Sequence, residues 1–234
     1  CGNHQQAHLI LEPICYYRAT AAQKLKMFST RPSTLGFYLD FYSYQILNRT
    51  DAAIVSYPKC GRTWLEQILV HGICAEYDLN PSRYSLLHPL NKALPFLPKI
   101  KFTHARSSWE GRINNYKNPR QILKTYQGIP KLVFLYRDPR DILVSQYYHM
   151  LQRTGIRQVS KHLLLESEYV GLPKIVRFMK SWKEWVEKER PDTLWLCYES
   201  MRRDTATVAR ELFDYLKIPV TNSAIVASVE GTAF

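Results

Sequence analysis

Residues 52–64 read Ala52-Ala53-Ile54-Val55-Ser56-Tyr57-Pro58-Lys59-Cys60-Gly61-Arg62-Thr63-Trp64, and their reading decides the fold. The short apolar run closed by Pro58 predicts a buried strand over 52–57. Lys59 to Thr63 form a turn. From Trp64 onward the pattern is helical, with Trp64, Ile68 and Val70 or His71 near one face. A strand, a turn and a helix in that order surround the turn with backbone N–H groups and a helix N-terminus, which makes an anion cradle. Lys59 adds a mobile point charge and Thr63 a hydroxyl. The usual phosphate-loop pattern GxxxxGK[ST] puts its Lys after the last Gly. Here Lys59 precedes Gly61, and that pattern occurs nowhere in the chain. An ordinary strand–helix turn with a surface Lys is the alternative reading.

Further units of the same kind follow. Ile100-Lys101-Phe102-Thr103-His104 reads as a second strand, Lys131 to Tyr136 as a third and Thr193 to Tyr198 as a fourth. Asp141 is a candidate N-cap for a helix through Ile142, Val144, Ser145 and Tyr148. Residues 173–190 carry an apolar stripe of Ile175, Phe178, Trp182, Trp185 and Val186, ended by Pro191. Asp204 or Thr205 caps a last helix with Ala209, Leu212, Phe213 and Leu216 on one face. Residues 81–98, with four prolines, read as loop, and 105–128 as a connection with a possible helix. The first fifty residues read as helical or irregular cover. Alternating strands and helices predict one α/β domain with a central parallel sheet flanked by helices. Ligands of such sheets bind at the carboxyl ends of the strands.

Composition narrows the function. The 234 residues are 46% hydrophobic, which excludes disorder as the main state. The 32 Lys and Arg exceed the 20 Asp and Glu, and the net charge of +12 favours a polyanionic partner: nucleic acid, anionic lipid or a multiply charged nucleotide. The basic residues are spread along the chain, which favours a charged pocket over a basic arm. Five widely spaced cysteines with no CxxC read as reduced thiols of a cytoplasmic protein. No apolar run is long enough to span a bilayer. His4 and His8 lack a third ligand, so no metal site is expected.

A second motif lies at 136–149: Tyr136-Arg137-Asp138-Pro139-Arg140-Asp141-Ile142-Leu143-Val144-Ser145-Gln146-Tyr147-Tyr148-His149. Arg137 sits at a strand's carboxyl end, and Ser145 follows in the next helix. Both can face one phosphate, the Arg through a bidentate fork; a surface Arg–Asp pair with a helical Ser is the alternative.

Together the two motifs resemble those of the cytosolic-type sulfotransferases, which use 3′-phosphoadenosine 5′-phosphosulfate. Tyr57 to Leu65 is similar to that family's YPKSGTTWL loop, and Arg137 to His149 to its RNPRDVAVSYYH segment. The resemblance runs from about Ala52 to Phe234 and implies a fold like that of the P-loop NTPases. It also implies site residues. Lys59 would contact the bridging oxygen and the sulfate. Cys60, Gly61, Arg62, Thr63 and Trp64 would form the loop, with Cys60 and Arg62 replacing the commoner Ser and Thr and Trp64 lying against adenine. Arg137 and Ser145 would bind the 3′-phosphate, with Ser145 also hydrogen-bonded to Lys59. His104, in a segment similar to KTHLP, would be the general base. The family often has Lys two residues before this His, where this chain has Phe102; Lys101 or Arg106 would then substitute. Tyr198, in a segment similar to FYEDM, and Thr232 with Phe234, similar to TSF, would contact adenine. The family's Arg-Lys-Gly loop, which grips the 3′-phosphate, has no counterpart within these residues.

The expectation is therefore sulfuryl transfer to a hydroxyl or amine of a small-molecule acceptor, leaving 3′-phosphoadenosine 5′-phosphate. It involves no metal, no nucleic acid and no membrane. Two rivals stand beside it. One is a P-loop nucleotide kinase or NTPase, which needs a Mg²⁺-binding Ser or Thr after the loop Lys, where this chain has Cys60. The other is a non-catalytic relative that binds nucleotide or RNA.

Overall fold

The computed structural model describes residues 50–105, 107, 119–153, 161–168 and 170–232. Residues 1–49, read as cover, and the site candidates Arg106 and Phe234 lie outside the described residues.

Four strands are present among the described residues: β1 (Ala52–Ser56), β2 (Ile100–Thr103), β3 (Lys131–Tyr136) and β4 (Leu194–Cys197). They form one parallel sheet in the order β2-β1-β3-β4. Every residue of β1 is buried. Such unbroken apolar runs belong to parallel strands covered on both faces. Pairing sets Val55 beside Thr103, Ser56 beside Leu135 and Tyr136 beside Cys197, so the carboxyl ends finish nearly level. The chain leaves β1 towards β2 on one side and later builds β3 and β4 on the other. That reversal puts a crevice outside the end of β1, where open α/β sheets bind ligands.

The helices fall into two groups. On one side α1 (Arg62–Glu76) packs with α8 (Thr205–Leu216) and α9 (Asn222–Glu230). On the other, α6 (Leu172–Glu189) packs with α3 (Pro119–Lys124), α4 (Pro139–Arg153) and α5 (Lys161–Glu166). The α6 stripe of Ile175, Phe178, Trp182 and Val186 is buried, as its helical spacing predicts. Phe134 of β3 stacks on Trp182 at 5.6 Å and meets Trp195 of β4 edge-on at 5.0 Å, tying that layer to the sheet. The remaining helices are α2 (Leu87–Ala93) and α7 (Tyr198–Arg203).

Several sequence expectations are corrected. Residues 81–98 contain a short 3-10 turn over Pro81–Arg83 as well as α2. Pro89 lies in the first turn of α2, where the missing N–H costs no helical hydrogen bond. The helix after β3 starts at Pro139 and not at Asp141. Asp138 acts as the capping group, its Oδ1 accepting the Arg140 N–H at 2.8 Å. The buried residues of α1 are Leu65, Ile68, Leu69, Val70, Gly72, Ile73 and Cys74, so Ile68 and Val70 are covered as expected while Trp64 is half-buried. Tyr198 begins a helix and does not end the strand.

Candidate active site

Each of the four strands delivers a candidate residue at its carboxyl end: the Lys59 loop from β1, His104 from β2, Arg137 from β3 and Tyr198 from β4. The β1 loop turns sharply. Lys59 has φ 74° and Gly61 φ 91°, both left-handed, and Gly61 is followed at once by α1. Gly61 is needed twice over. Its φ suits glycine, and a Cβ there would stand 2.5 Å from Cδ2 of Tyr198. The Cδ2–Cε2 side of the Tyr198 ring therefore packs closely against the loop backbone at Gly61. Trp64 meets the same ring edge-on at 5.8 Å.

Arg137 lies over the face of that ring, its Cζ 4.1 Å from the centroid. Its Nη1 donates to the Lys59 carbonyl at 3.2 Å, and its Nη2 is 3.7 Å from Asp141. Nε is buried and has no hydrogen-bond partner among the described residues. One backbone carbonyl and one long ion pair leave this guanidinium under-satisfied, which suits a site for a further anion. Glu199 steadies the turn that carries it. The carboxylate accepts the Asp138 N–H at 3.0 Å and the Cys197 S–H at 2.9 Å. Burial works to raise the Glu199 pKa, but those two bonds, its own backbone N–H and the Arg137 charge together outweigh it and the net shift is downward.

His104 follows β2. Its Nδ1–H donates to the Ser56 carbonyl at 3.0 Å, with the Ser56 hydroxyl 3.4 Å away. The His104 carbonyl accepts from Ser107 N–H at 2.8 Å and from Ser107 Oγ at 2.6 Å. Ala105 completes the turn at φ 44°. Burial, then the nearby Arg62 cation, hold the His104 pKa down to about 4, against the opposing effect of the Ser56 bond. At neutral pH the ring is uncharged with its proton on Nδ1, so Nε2 carries a lone pair. Arg62→Gln should raise this pKa part of the way back, since burial remains. An imidazole proton titration by NMR checks the direction, and an unmoved His104 would show that the Arg62 charge does not reach it.

The other candidates divide. Cys60 is fully buried, and burial pushes its thiol pKa far up, so it is a packing group here. Thr63 is exposed. Ser145 sits half-buried on α4, and its hydroxyl makes no hydrogen bond among the described residues. Instead His149, one helical turn further on, has its Nδ1 3.3 Å from the Lys59 ammonium. The expected Ser145–Lys59 bond is thus replaced by a His149–Lys59 contact. Thr232 spends its hydroxyl on the α9 carbonyl of Ser228 at 2.8 Å. Lys101 is exposed and alternates to the opposite sheet face from Phe102 and His104, so it supplies no cation beside His104. Residue reading missed His149 and Glu199. The i,i+4 spacing of Ser145 and His149 on one helix face was the available signal for the first.

The chain belongs to the sulfotransferase domain family, whose model matches residues 49–234. It is 24% identical over 215 residues to luciferin sulfotransferase of Photinus pyralis, covering 79% of this chain and 56% of that protein. It is 27% identical over 188 residues to flavonol 3-sulfotransferase of Flaveria bidentis, covering 73% and 58%. The chain thus spans little more than half the length of these relatives. Mouse sulfotransferase SULT7A1, solved with PAP, superposes with TM-score 0.52 at 18% identity over 81% of this chain and 67% of that one, and shows the same fold.

Proposed function

We propose that this protein transfers a sulfuryl group from 3′-phosphoadenosine 5′-phosphosulfate to a hydroxyl or amine of a small-molecule acceptor. The observation that carries the reading is the convergence of Lys59, His104 and the under-satisfied Arg137 on the carboxyl edge of the sheet in a chain of this family. The residues fit the group. Arg137 has donors left for a phosphate, the loop offers backbone N–H groups at a helix N-terminus, and Trp64 and Tyr198 present aromatic surface beside them.

When bound, 3′-phosphoadenosine 5′-phosphosulfate supplies the activated sulfuryl group. Lys59 would place an ammonium where charge grows on the departing 5′-phosphate. Arg137 would hold the 3′-phosphate through its remaining N–H donors. His104 Nε2 would accept the acceptor's proton, and Nδ1–H on the Ser56 carbonyl keeps the ring in that tautomer. Charge stabilisation and in-line positioning are the main demands of such transfers.

A small-molecule acceptor is favoured because the relatives are named for luciferin and a flavonol. Cytoplasmic residence is favoured by the unpaired thiols of Cys60, Cys74 and Cys197. No helix among the described residues is long and apolar enough to cross a membrane. The kinase and RNA-binding alternatives have no support in the family match. Incubation with 3′-phosphoadenosine 5′-phosphosulfate and a panel of phenols, alcohols and amines, read by mass spectrometry, tests the reading. A sulfated product formed with stoichiometric bisphosphate release is expected. Bisphosphate binding with no sulfated product across the panel would favour a non-catalytic relative.

A further inference from the structure

Lys59 is held at both ends by one stretch of chain. Its carbonyl accepts from Arg137, the residue after β3, and its ammonium reaches His149, inside α4. The backbone between those ends is left-handed, which a residue with a Cβ adopts at a cost. An ammonium only donates, so the contact requires a lone pair on His149 Nδ1 and its proton on Nε2. Lys has a long and freely rotating side chain, and an unconstrained ammonium would sample many positions. A fixed acceptor on α4 limits that freedom.

Resting on the sulfuryl-transfer reading, we propose that His149 is a positioning residue for that reaction: it aims the Lys59 ammonium from α4 toward the departing phosphate. His104 and His149 then have separate duties. His104, anchored to β1 through Ser56, faces the acceptor proton. His149 acts only through Lys59.

Three variants test this. His149→Phe keeps a ring but removes the acceptor. His149→Asn keeps an acceptor oxygen near the place of Nδ1. Lys59→Ala removes the group acted upon. Losing a hydrogen bond to a charged group should lower kcat about 10- to 100-fold in His149→Phe. His149→Asn should recover most of that rate. Affinity for 3′-phosphoadenosine 5′-phosphate, which lacks the sulfuryl group, should change by no more than about threefold in either. The double variant His149→Phe, Lys59→Ala should be no slower than Lys59→Ala alone. Wild-type kcat in His149→Phe, an Asn variant as slow as Phe, or multiplying effects in the double variant would each overturn the proposal. A separate readout needs no turnover. The ¹⁵N shifts of His149 should report the Nε2–H tautomer in the wild type and a mixed population in Lys59→Ala. An Nδ1–H tautomer in the wild type would overturn the contact itself. If the wild type neither binds the bisphosphate nor transfers, the sulfuryl-transfer reading fails, and the tautomer measurement still decides whether His149 holds Lys59.

Discussion

His104→Ala is expected to slow sulfuryl transfer about 10²- to 10⁴-fold, the usual share of a general base. Affinity for 3′-phosphoadenosine 5′-phosphate should stay within about threefold if the imidazole serves the acceptor as proposed. The wild-type pH profile carries a second expectation. With the ring pKa held down to about 4, the neutral base predominates through the physiological range. His104 should therefore produce no acid limb in kcat/KM down to roughly pH 5. The same shift affects stability. The unfolded imidazole, with a pKa of about 6.5, binds protons that the folded one refuses. The His104 contribution is fully present above about 6.5 and is lost as pH falls from there through about 4. Stopped or steady-state kinetics across pH check the first point, and thermal melts across the same range check the second. Full activity in His104→Ala would move the base elsewhere.

Gly61→Val should cost the most in stability of any single change in the loop. A β-branched residue at φ 91° is a backbone outlier, and its Cβ would drive into the Tyr198 ring. The left-handed backbone costs about 1–2 kcal/mol and overpacking about 1–3 kcal/mol more. For a chain of this size that is a fall in Tm on the order of 10 °C. Displacing Tyr198 also moves the surface on which Arg137 rests, so bisphosphate affinity should fall with it. Gly128→Ala is the control: a Cβ there meets nothing within 4 Å. Calorimetry should show it within about 1 kcal/mol of wild type. Equal losses in the two variants would mean that the close approach of Tyr198 to Gly61 is not what fixes the loop.

The parts of this fold that the sequence made legible share a physical cause. β1 and β3 are covered on both faces, so they read as unbroken apolar runs. The α6 stripe was plain because large side chains recur at helical spacing. By contrast, α9 was missed because it buries one large side chain and otherwise docks through small residues. Gly72 of α1 lies against Phe213 and Ser228, and the buried face of α9 is only Ala224, Ile225 and Ser228. The α2 helix was hidden by Pro89, which a first helical turn accepts. For the site, four strands ending at Ser56, Thr103, Tyr136 and Cys197 gather the Lys59 loop, His104, Arg137 and Tyr198 directly after them. The partner of the Lys59 ammonium was not readable from residue types. Ser145 and His149 share a helix face, and only side-chain geometry chooses between them.

The most direct test is isothermal titration of the protein with 3′-phosphoadenosine 5′-phosphate, beside 5′-AMP and ATP, in wild type and Arg137→Ala. Binding should require the 3′-phosphate and should weaken about a hundredfold or more when the Arg137 guanidinium is removed. Binding of ATP as tight as or tighter than the bisphosphate, or bisphosphate binding indifferent to Arg137, would contradict the account.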